Sequence, residues 1–392
     1  MHLNPHLAAT QTPPVMEARR WIAETSFPPD RPLLNLSQAA PVVPPPAPLR
    51  AAMAAALEDP ATHLYGPVLG LPDLRAALAD RMQQIYGGQV RSDQIAITSG
   101  CNQAFCVAIT ALASPGDSVI LPVPWYFNHE MWLSMQGIET IPLPCGPSLI
   151  PDPEAARALI TPRTRAIVLV TPNNPTGTEY PADTLSAFRD LARAHGLALI
   201  VDETYRDFHS HDTPPHDLFT DPDWDDTLIH LYSFSKAYRL TGHRVGAIAA
   251  SAARLAQIEK ILDSVTICPS GLGQRAALWG LENLGDWLAG ERREILARRD
   301  HLIAGFNTLP DWQLCAAGAY FGYVTHPFDM ASDQLAKKLV QAASLLVLPG
   351  TMFAPAQDRD GPRHLRIAFA NADAGGIAEL TRRLQDFTAA NS

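Results

Sequence analysis

Between residues 94 and 250 the chain repeats one pattern: a short run that is apolar at almost every position, then a segment whose apolar residues recur three or four apart. The runs are "QIAIT" (94–98), "SVILP" (118–122), "AIVLV" (166–170), "LALIV" (197–201), "TLIHLYSF" (227–234) and "VGAIAA" (245–250). Side chains of a strand point alternately to its two faces, so such a run must be covered on both, which a largely parallel sheet flanked by helices provides. The intervening "ADTLSAFRDLARAHG" (182–196) sets Leu185, Phe188, Leu191 and Ala192 on one helical face and meets its stop at Gly196. The spacing predicts an α/β fold.

The pattern breaks in two places. "APVVPPPAPL" (40–49) carries too many prolines for a helix or a central strand and is expected to be an extended connector. After about residue 285 the alternation gives way to one long helical run, "GDWLAGERREILARRDHLIAGFNTL", and then to a mixed stretch with "AYFGYVTH", "SLLVLPG" and "LRIAFA". The expected division is an N-terminal arm with part of a smaller domain (1–45), a large sheet domain (46–285) and a smaller α+β domain (286–392).

Composition narrows the function. A formal charge of −10 disfavours a nucleic-acid backbone as partner, since that binding rests on Lys and Arg neutralising phosphates. "MHLNPHLAATQTPPVMEARRW" lacks the basic start and apolar core of a secretory signal, and nothing approaches the ~20 apolar residues of a membrane span, so a cytoplasmic protein with no membrane contact is expected. The cysteines Cys101, Cys106, Cys145, Cys268 and Cys315 form no CxxC pair and read as small buried hydrophobes. "HSHD" (209–212) has ligand chemistry but no second cluster to complete a metal site, and reads as a polar loop.

Four polar clusters follow strands directly, where the loops of an open parallel sheet gather ligands: "SGCNQAF" (99–105), "TPNNPTG" (171–177), "DETY" (202–205) and Ser235 with Lys236. "SGCNQAF" leads into a helix, so the N–H groups of Gly100, Cys101 and Asn102 are expected to be free donors at the positive end of its dipole. Neither GxGxxG nor GxxxxGK[ST] is present, while Arg244, Ser233 and Ser235 would add bonds to the same anion, which suggests a single phosphate. Asp202 is either a capping residue or the partner of a buried cation. Lys236, at an unperturbed pKa of ~10.4, needs burial or neighbouring cations to become a nucleophile. A lysine, a monophosphate cradle, a carboxylate for a ring cation and an aromatic lid together describe a site for pyridoxal 5′-phosphate, with Lys236 as the Schiff-base residue.

Over nearly its whole length the chain resembles the class I/II aminotransferases, the fold-type I pyridoxal-phosphate enzymes. "LSQAAPVVPPP", "YGPVLGLPDLR", "SGCNQAF", "PWYFNH", "NNPTG", "DETY", "SFSKAYRLTGHRVG", "LPGTMF" and "LRIAFA" come in that family's order and approximate spacing. "NPTG" alone is a modest signal; the ordered set is very specific. The resemblance implies that Lys236 holds the cofactor and moves the substrate Cα proton, and that Asp202 pairs with the pyridine nitrogen. It further implies that Asn174 and Tyr205 bond the phenolic oxygen, and that Gly100, Cys101, Asn102, Ser233, Ser235 and Arg244 form the phosphate cup. Tyr126 would stack on the ring, with Trp125 the competing choice, and Arg366 would grip the substrate carboxylate. Tyr65 would reach the phosphate from the other subunit, which makes a homodimer with interfacial active sites the expected assembly.

There are departures from the family pattern. Ala39 stands where many relatives carry a glycine in a substrate-contacting loop, and Cys268 and Asn102 stand where aspartate-specific members commonly place an extra cation, so a dicarboxylate donor is not expected. His129 reads as a specificity residue, a second proton carrier or, preferred, a structural histidine. The implied activity is transfer of an amino group from a neutral L-amino acid, aromatic and sulfur-containing ones among the candidates, to a 2-oxo acid by ping-pong kinetics. The alternative is a carbon–sulfur β-lyase or other specialised enzyme on the same cofactor site. A transcriptional regulator with an aminotransferase-like domain is disfavoured, because the resemblance begins by about residue 33 and the charge is acidic.

Overall fold

Each of the six apolar runs becomes a strand in the computed structural model, which describes residues 2–391. In chain order the strands are β1 (Leu34–Asn35), β2 (Ile95–Thr98), β3 (Ser118–Val123), β4 (Glu139–Pro144), β5 (Thr164–Val170), β6 (Ala198–Asp202), β7 (Leu228–Ser233), β8 (Gly246–Ala249), β9 (Gln313–Gly318), β10 (Phe321–Thr325), β11 (Leu345–Leu346), β12 (Leu348–Pro349) and β13 (His364–Ala368). Seven of them form the central sheet in the order β2-β8-β7-β6-β5-β3-β4. Its pairs from β7 to β4 are parallel, whereas β8 runs against both β2 and β7. Two reversals restore direction, so the carboxyl ends of β2, β5, β6 and β7 meet at one edge.

Both faces of this sheet are dry. Leu199 and Val201 pack with Leu185 and Phe188 of the helix Ala182–Ala194 on one side, and Val168 and Ile200 pack with Phe105 and Ala108 of the helix Cys101–Leu112 on the other. Gly196 follows the first helix at φ 64°, a left-handed turn that glycine adopts without steric cost. Two details differ from the sequence expectation. The "APVVPPPAPL" connector is not extended throughout: the helix Ala47–Ala56 starts inside it, with proline in its first turn, where a missing N–H costs no helical bond. And β4 had no apolar run to announce it, because Pro142 and Pro144 are tolerated only on the outer edge that it occupies.

A second, antiparallel sheet has the order β12-β13-β10-β9. Its core includes Leu302 from the 22-residue helix Gly285–Phe306, together with Trp21 and Leu36 from near the N-terminus. The early segment is tied in by backbone bonds: β1 pairs in parallel with β11, and Leu36 accepts from Ala368 N–H at 2.8 Å. That seam brings Ala39 within bonding distance of Lys236 at the carboxyl edge of the large sheet, and Ser37 within bonding distance of Arg366 on β13. Among the described residues no helix is long and apolar enough to cross a membrane.

Candidate active site

At this carboxyl edge lies a cavity of about 200 Å³. The ends of β2, β5, β6 and β7 each contribute to it: Cys101 and Asn102; Val170 and Asn174; Asp202, Thr204 and Tyr205; Ser233, Ser235 and Lys236. Tyr126 and Arg244 complete the lining.

Lys236 sits in a single helical turn, Phe234–Ala237, directly after β7. Its Nζ donates to the Ala39 carbonyl at 2.6 Å and lies 5.8 Å from the centre of the Tyr205 ring. Burial, with the positive charges of Arg244 and Arg366, lowers its pKa to about 8. At neutral pH about a tenth of such amines are uncharged, against fewer than one in a thousand at the ordinary value.

An anion cradle faces the cavity from the start of the helix Cys101–Leu112. Gly100 precedes it at φ 88°, and a Cβ there would stand 2.1 Å from Arg244 Nη2, so only glycine lets the guanidinium approach. The expectation of three free N–H groups is corrected: Gly100 N–H is taken by the Thr98 carbonyl at 2.8 Å. The N–H groups of Cys101 and Asn102 open the helix, where no turn precedes them to accept. Arg244, itself in the left-handed region, donates Nη1 to the Thr241 carbonyl at 3.1 Å. Ser233 Oγ accepts from Ser235 N–H at 3.3 Å. Two helix N–H groups, two hydroxyls and a guanidinium suit a phosphate monoester.

Across the cavity, Asp202 ends β6. Its Oδ1 accepts from Thr204 N–H at 3.0 Å and from the Cys101 thiol at 3.6 Å, while Oδ2 lies 3.3 Å from His129 Nε2. Burial alone would raise its pKa; the bond and charge of His129 and the bonds from Thr204 outweigh it and hold the carboxyl below its usual range. His129 is buried, stacked on Phe105 with centroids 3.8 Å apart and set edge-on to Tyr126 at 5.0 Å. Its Nε2 is thus the nitrogen turned toward the Asp202 carboxylate. Tyr126 OH donates to Asn102 Oδ1 at 3.3 Å and accepts from Asn128 Nδ2 at 2.9 Å. Trp125 instead packs into the apolar layer with Val119 and Leu121, away from the cavity lining.

Arg366 reaches the site from β13. It donates Nη1 to Asn174 Oδ1 at 3.0 Å and Nη2 to the Ser37 carbonyl, while its buried Nε has no partner. Burial lowers its pKa to about 10, which leaves it charged at neutral pH. The Tyr205 ring packs against Tyr320 and Phe321 at 5.4 and 5.1 Å, and burial followed by the neighbouring Tyr126 raises its phenol. A charged arginine with an orphaned donor beside the cavity suits a carboxylate.

Of the residues singled out from the sequence, Gly100, Ala39 and Arg366 adjoin the lining through Arg244, Lys236 and Asn174 without being part of it, whereas Trp125 packs away from it and Tyr65, 80% exposed, lies apart from the cavity of its own chain. Three contributors escaped sequence reasoning. Thr204 sits inside the quoted "DETY" and could have been found there; the Ser37 and Ala39 carbonyls, being backbone atoms, have no sequence signature.

Residues 31–384 match the family described as aminotransferase class I and II. The chain is 32% identical over 362 residues, 90% of each chain, to a valine–pyruvate aminotransferase of Mycobacterium tuberculosis. It is 30% identical over 336 residues, 83% of this chain and 80% of the relative, to an aromatic aminotransferase of Arabidopsis thaliana. A crystal structure of an aminotransferase from Mycobacterium tuberculosis superposes over 100% of both chains with a TM-score of 0.89 at 29% identity.

Proposed function

This chain belongs to the class I and II aminotransferase family and is an aminotransferase, and from that premise we propose that it moves the amino group of a neutral L-amino acid to a 2-oxo acid, using pyridoxal 5′-phosphate. Fold-type I architecture and amino-group chemistry follow from membership; the cofactor, the donor class and the residue roles are our reading. One observation carries it: the amine with its pKa drawn down to about 8 shares one cavity with a phosphate cradle and a buried, ionised carboxylate.

When bound, the cofactor supplies an electron sink that lets the Cα–H bond of an amino acid ionise. Cys101 and Asn102 N–H, Ser233, Ser235 and Arg244 would hold its phosphate, Asp202 its ring nitrogen, and Asn174 with Tyr205 its phenolic oxygen, under the Tyr126 ring. Lys236 Nζ would hold its aldehyde carbon and, once displaced by substrate, take the Cα proton; the lowered pKa keeps a working fraction of the amine uncharged. Arg366, fixed by Asn174 and the Ser37 carbonyl, orients the substrate carboxylate so that the Cα–H faces that base. Tyr65 completes the phosphate site only from a second copy of the chain, in a homodimer. Exposed Leu64 and Tyr65 adjoin exposed Ile267 through the Gly66 N–H bond to Cys268 Sγ at 3.4 Å, an apolar surface that suits such a partner.

Asn102 and Cys268, where a second cation would serve a distal carboxylate, are neutral, which supports neutral donors. The transaminase names of the relatives favour amino-group transfer over β-elimination. The test is a panel of amino acids mixed singly with the cofactor-loaded protein, following the cofactor's visible absorbance. Neutral donors, aromatic or sulfur-containing among them, are expected to discharge the band at least about tenfold faster than aspartate or glutamate, a 1.4 kcal/mol preference. Faster reaction with the dicarboxylates overturns the donor assignment, and pyruvate and ammonia released without an acceptor overturn the transaminase reading in favour of the lyase.

A further inference from the structure

Behind the active-site loops, three side chains that the amino-transfer chemistry does not use converge. Glu179 lies just beyond the "TPNNPTG" loop after β5, and His209 and His211 lie in the segment that follows "DETY" after β6. One ligand atom from each falls within 4.8 Å of the others. Glu179 Oε2 is 3.3 Å from His209 Nδ1 and 3.6 Å from His211 Nε2. Tetrahedral coordination with bonds of about 2.0–2.2 Å sets ligand atoms roughly 3.3–3.6 Å apart. Two of the three edges of a coordination polyhedron are therefore already in place, and the third, between the two imidazoles, is no longer than 4.8 Å and can be closed by the exposed His211 ring.

Two further observations point to a ligand. His209 is 4% exposed; its Nε2 has no hydrogen-bond partner and its Nδ1 has only the 3.3 Å contact to Glu179, an unusual condition for a buried imidazole. His211 Nδ1 lies 2.8 Å from Thr213 Oγ1; with the hydroxyl accepting from Nδ1–H, Nε2 presents its lone pair toward Glu179, the tautomer a metal requires. Glu179 is oriented in turn, Oε1 by Ser210 N–H at 2.7 Å and Oε2 by the Ser210 hydroxyl at 2.8 Å. Arg292, from the helix Gly285–Phe306, braces the loop from outside by donating to the His209 carbonyl at 2.6 Å and to Asp212, whose carboxylate offsets its charge.

We propose that Glu179, His209 and His211 bind a first-row divalent transition cation, Zn²⁺ above all, with water in the remaining position. Two imidazoles and one carboxylate are the donor set of such ions and a poor one for Mg²⁺ or Ca²⁺, which take oxygen ligands. The ion would clip the loop carrying Asn174 to the segment carrying Asp202 and Tyr205, and so act as a structural brace from outside the cavity.

The test titrates the cofactor-loaded protein with Zn²⁺ in a calorimeter and follows its thermal unfolding. One equivalent per chain should bind and raise Tm, and Mg²⁺ should do neither. His211→Ala, at a half-exposed position where the metal-free Tm should match the parent's, and Glu179→Gln should each weaken Zn²⁺ binding at least about tenfold and abolish the rise. No uptake of Zn²⁺ by the parent overturns the proposal. So does uptake of the same strength in both variants, which would put the ion on other groups, such as the free thiols.

Discussion

Asp202 and Glu203 are neighbours in the chain, both buried, both touched by histidine and both drawn below the usual carboxylate range, yet they stand in opposite parts of the molecule. The alternation of β6 separates them. Asp202 follows Ala198 and Ile200 to the face covered by Phe105 and His129, and opens onto the cavity. Glu203 follows Leu199 and Val201 to the other face, where its Oε2 accepts from the Tyr86 hydroxyl, from His230 Nε2 at 2.8 Å and from His216 Nε2 at 3.2 Å. Burial would push the Glu203 carboxyl up; the charge and bond of His216, with the bond and charge of His230, outweigh it. Burial also lowers the pKa of His230, so its ring serves as a neutral N–H donor. A perturbed carboxylate therefore marks chemistry only where a ligand can reach it, and the same perturbation behind the sheet is architecture.

Charge-neutral substitutions should pull the pair apart. Asp202→Asn is expected to lower kcat/KM about 1000-fold, close to 4 kcal/mol, with Tm almost unchanged, because the cavity loses the charge proposed to pair with the cofactor's ring nitrogen. Glu203→Gln should do the reverse, costing about 2–3 kcal/mol of stability in a denaturant titration while the folded fraction keeps kcat/KM within about threefold. Equal losses of activity in the two variants would remove the distinction. Acid sharpens it. The native state binds fewer protons than the unfolded chain at His230 and at Glu203, so stability falls with pH, first below about 6.5 and again below about 4.3. Glu203→Gln should shrink the second stage, leaving the part that Asp202 and Glu379 contribute, and keep the first.

How much of this was legible in the sequence depends on where the determining contacts lie along the chain. Strands β2, β3, β5, β6, β7 and β8 announce themselves because a strand covered on both faces is apolar throughout. The reversed direction of β8 does not, since an antiparallel strand buried on both faces reads the same. Residues that meet in the cavity sit in compact motifs just after strands, where chain order already groups them. Arg366 was readable as an arginine, but its anchor at Ser37 lies 329 positions away and is a carbonyl. The meeting of "HSHD" with Glu179 was hidden for the same reason: Glu179 is 31 positions from Ser210 and belongs to a different loop. Likewise nothing in "PWYFNH" tells that His129 would turn toward Asp202, because that contact depends on how the helix Phe127–Met135 packs beside the helix Cys101–Leu112.

That contact provides the smallest and most discriminating prediction. His129→Phe keeps a flat ring stacked on Phe105 and removes both ring nitrogens, among them the Nε2 beside Asp202 Oδ2. If the ring merely fills space, kcat and its pH dependence should both survive. If it braces the carboxylate, losing the bond lets burial dominate, so the Asp202 pKa rises and the acid limb of kcat/KM moves to higher pH by about one unit. A fall in kcat of about tenfold, near 1.4 kcal/mol, should accompany the shift with KM little changed, because Arg366, the proposed hold for the substrate carboxylate, is left in place. A lower kcat on an unmoved pH profile would make His129 a packing residue and leave the lowering of the Asp202 carboxyl to the bonds from Thr204.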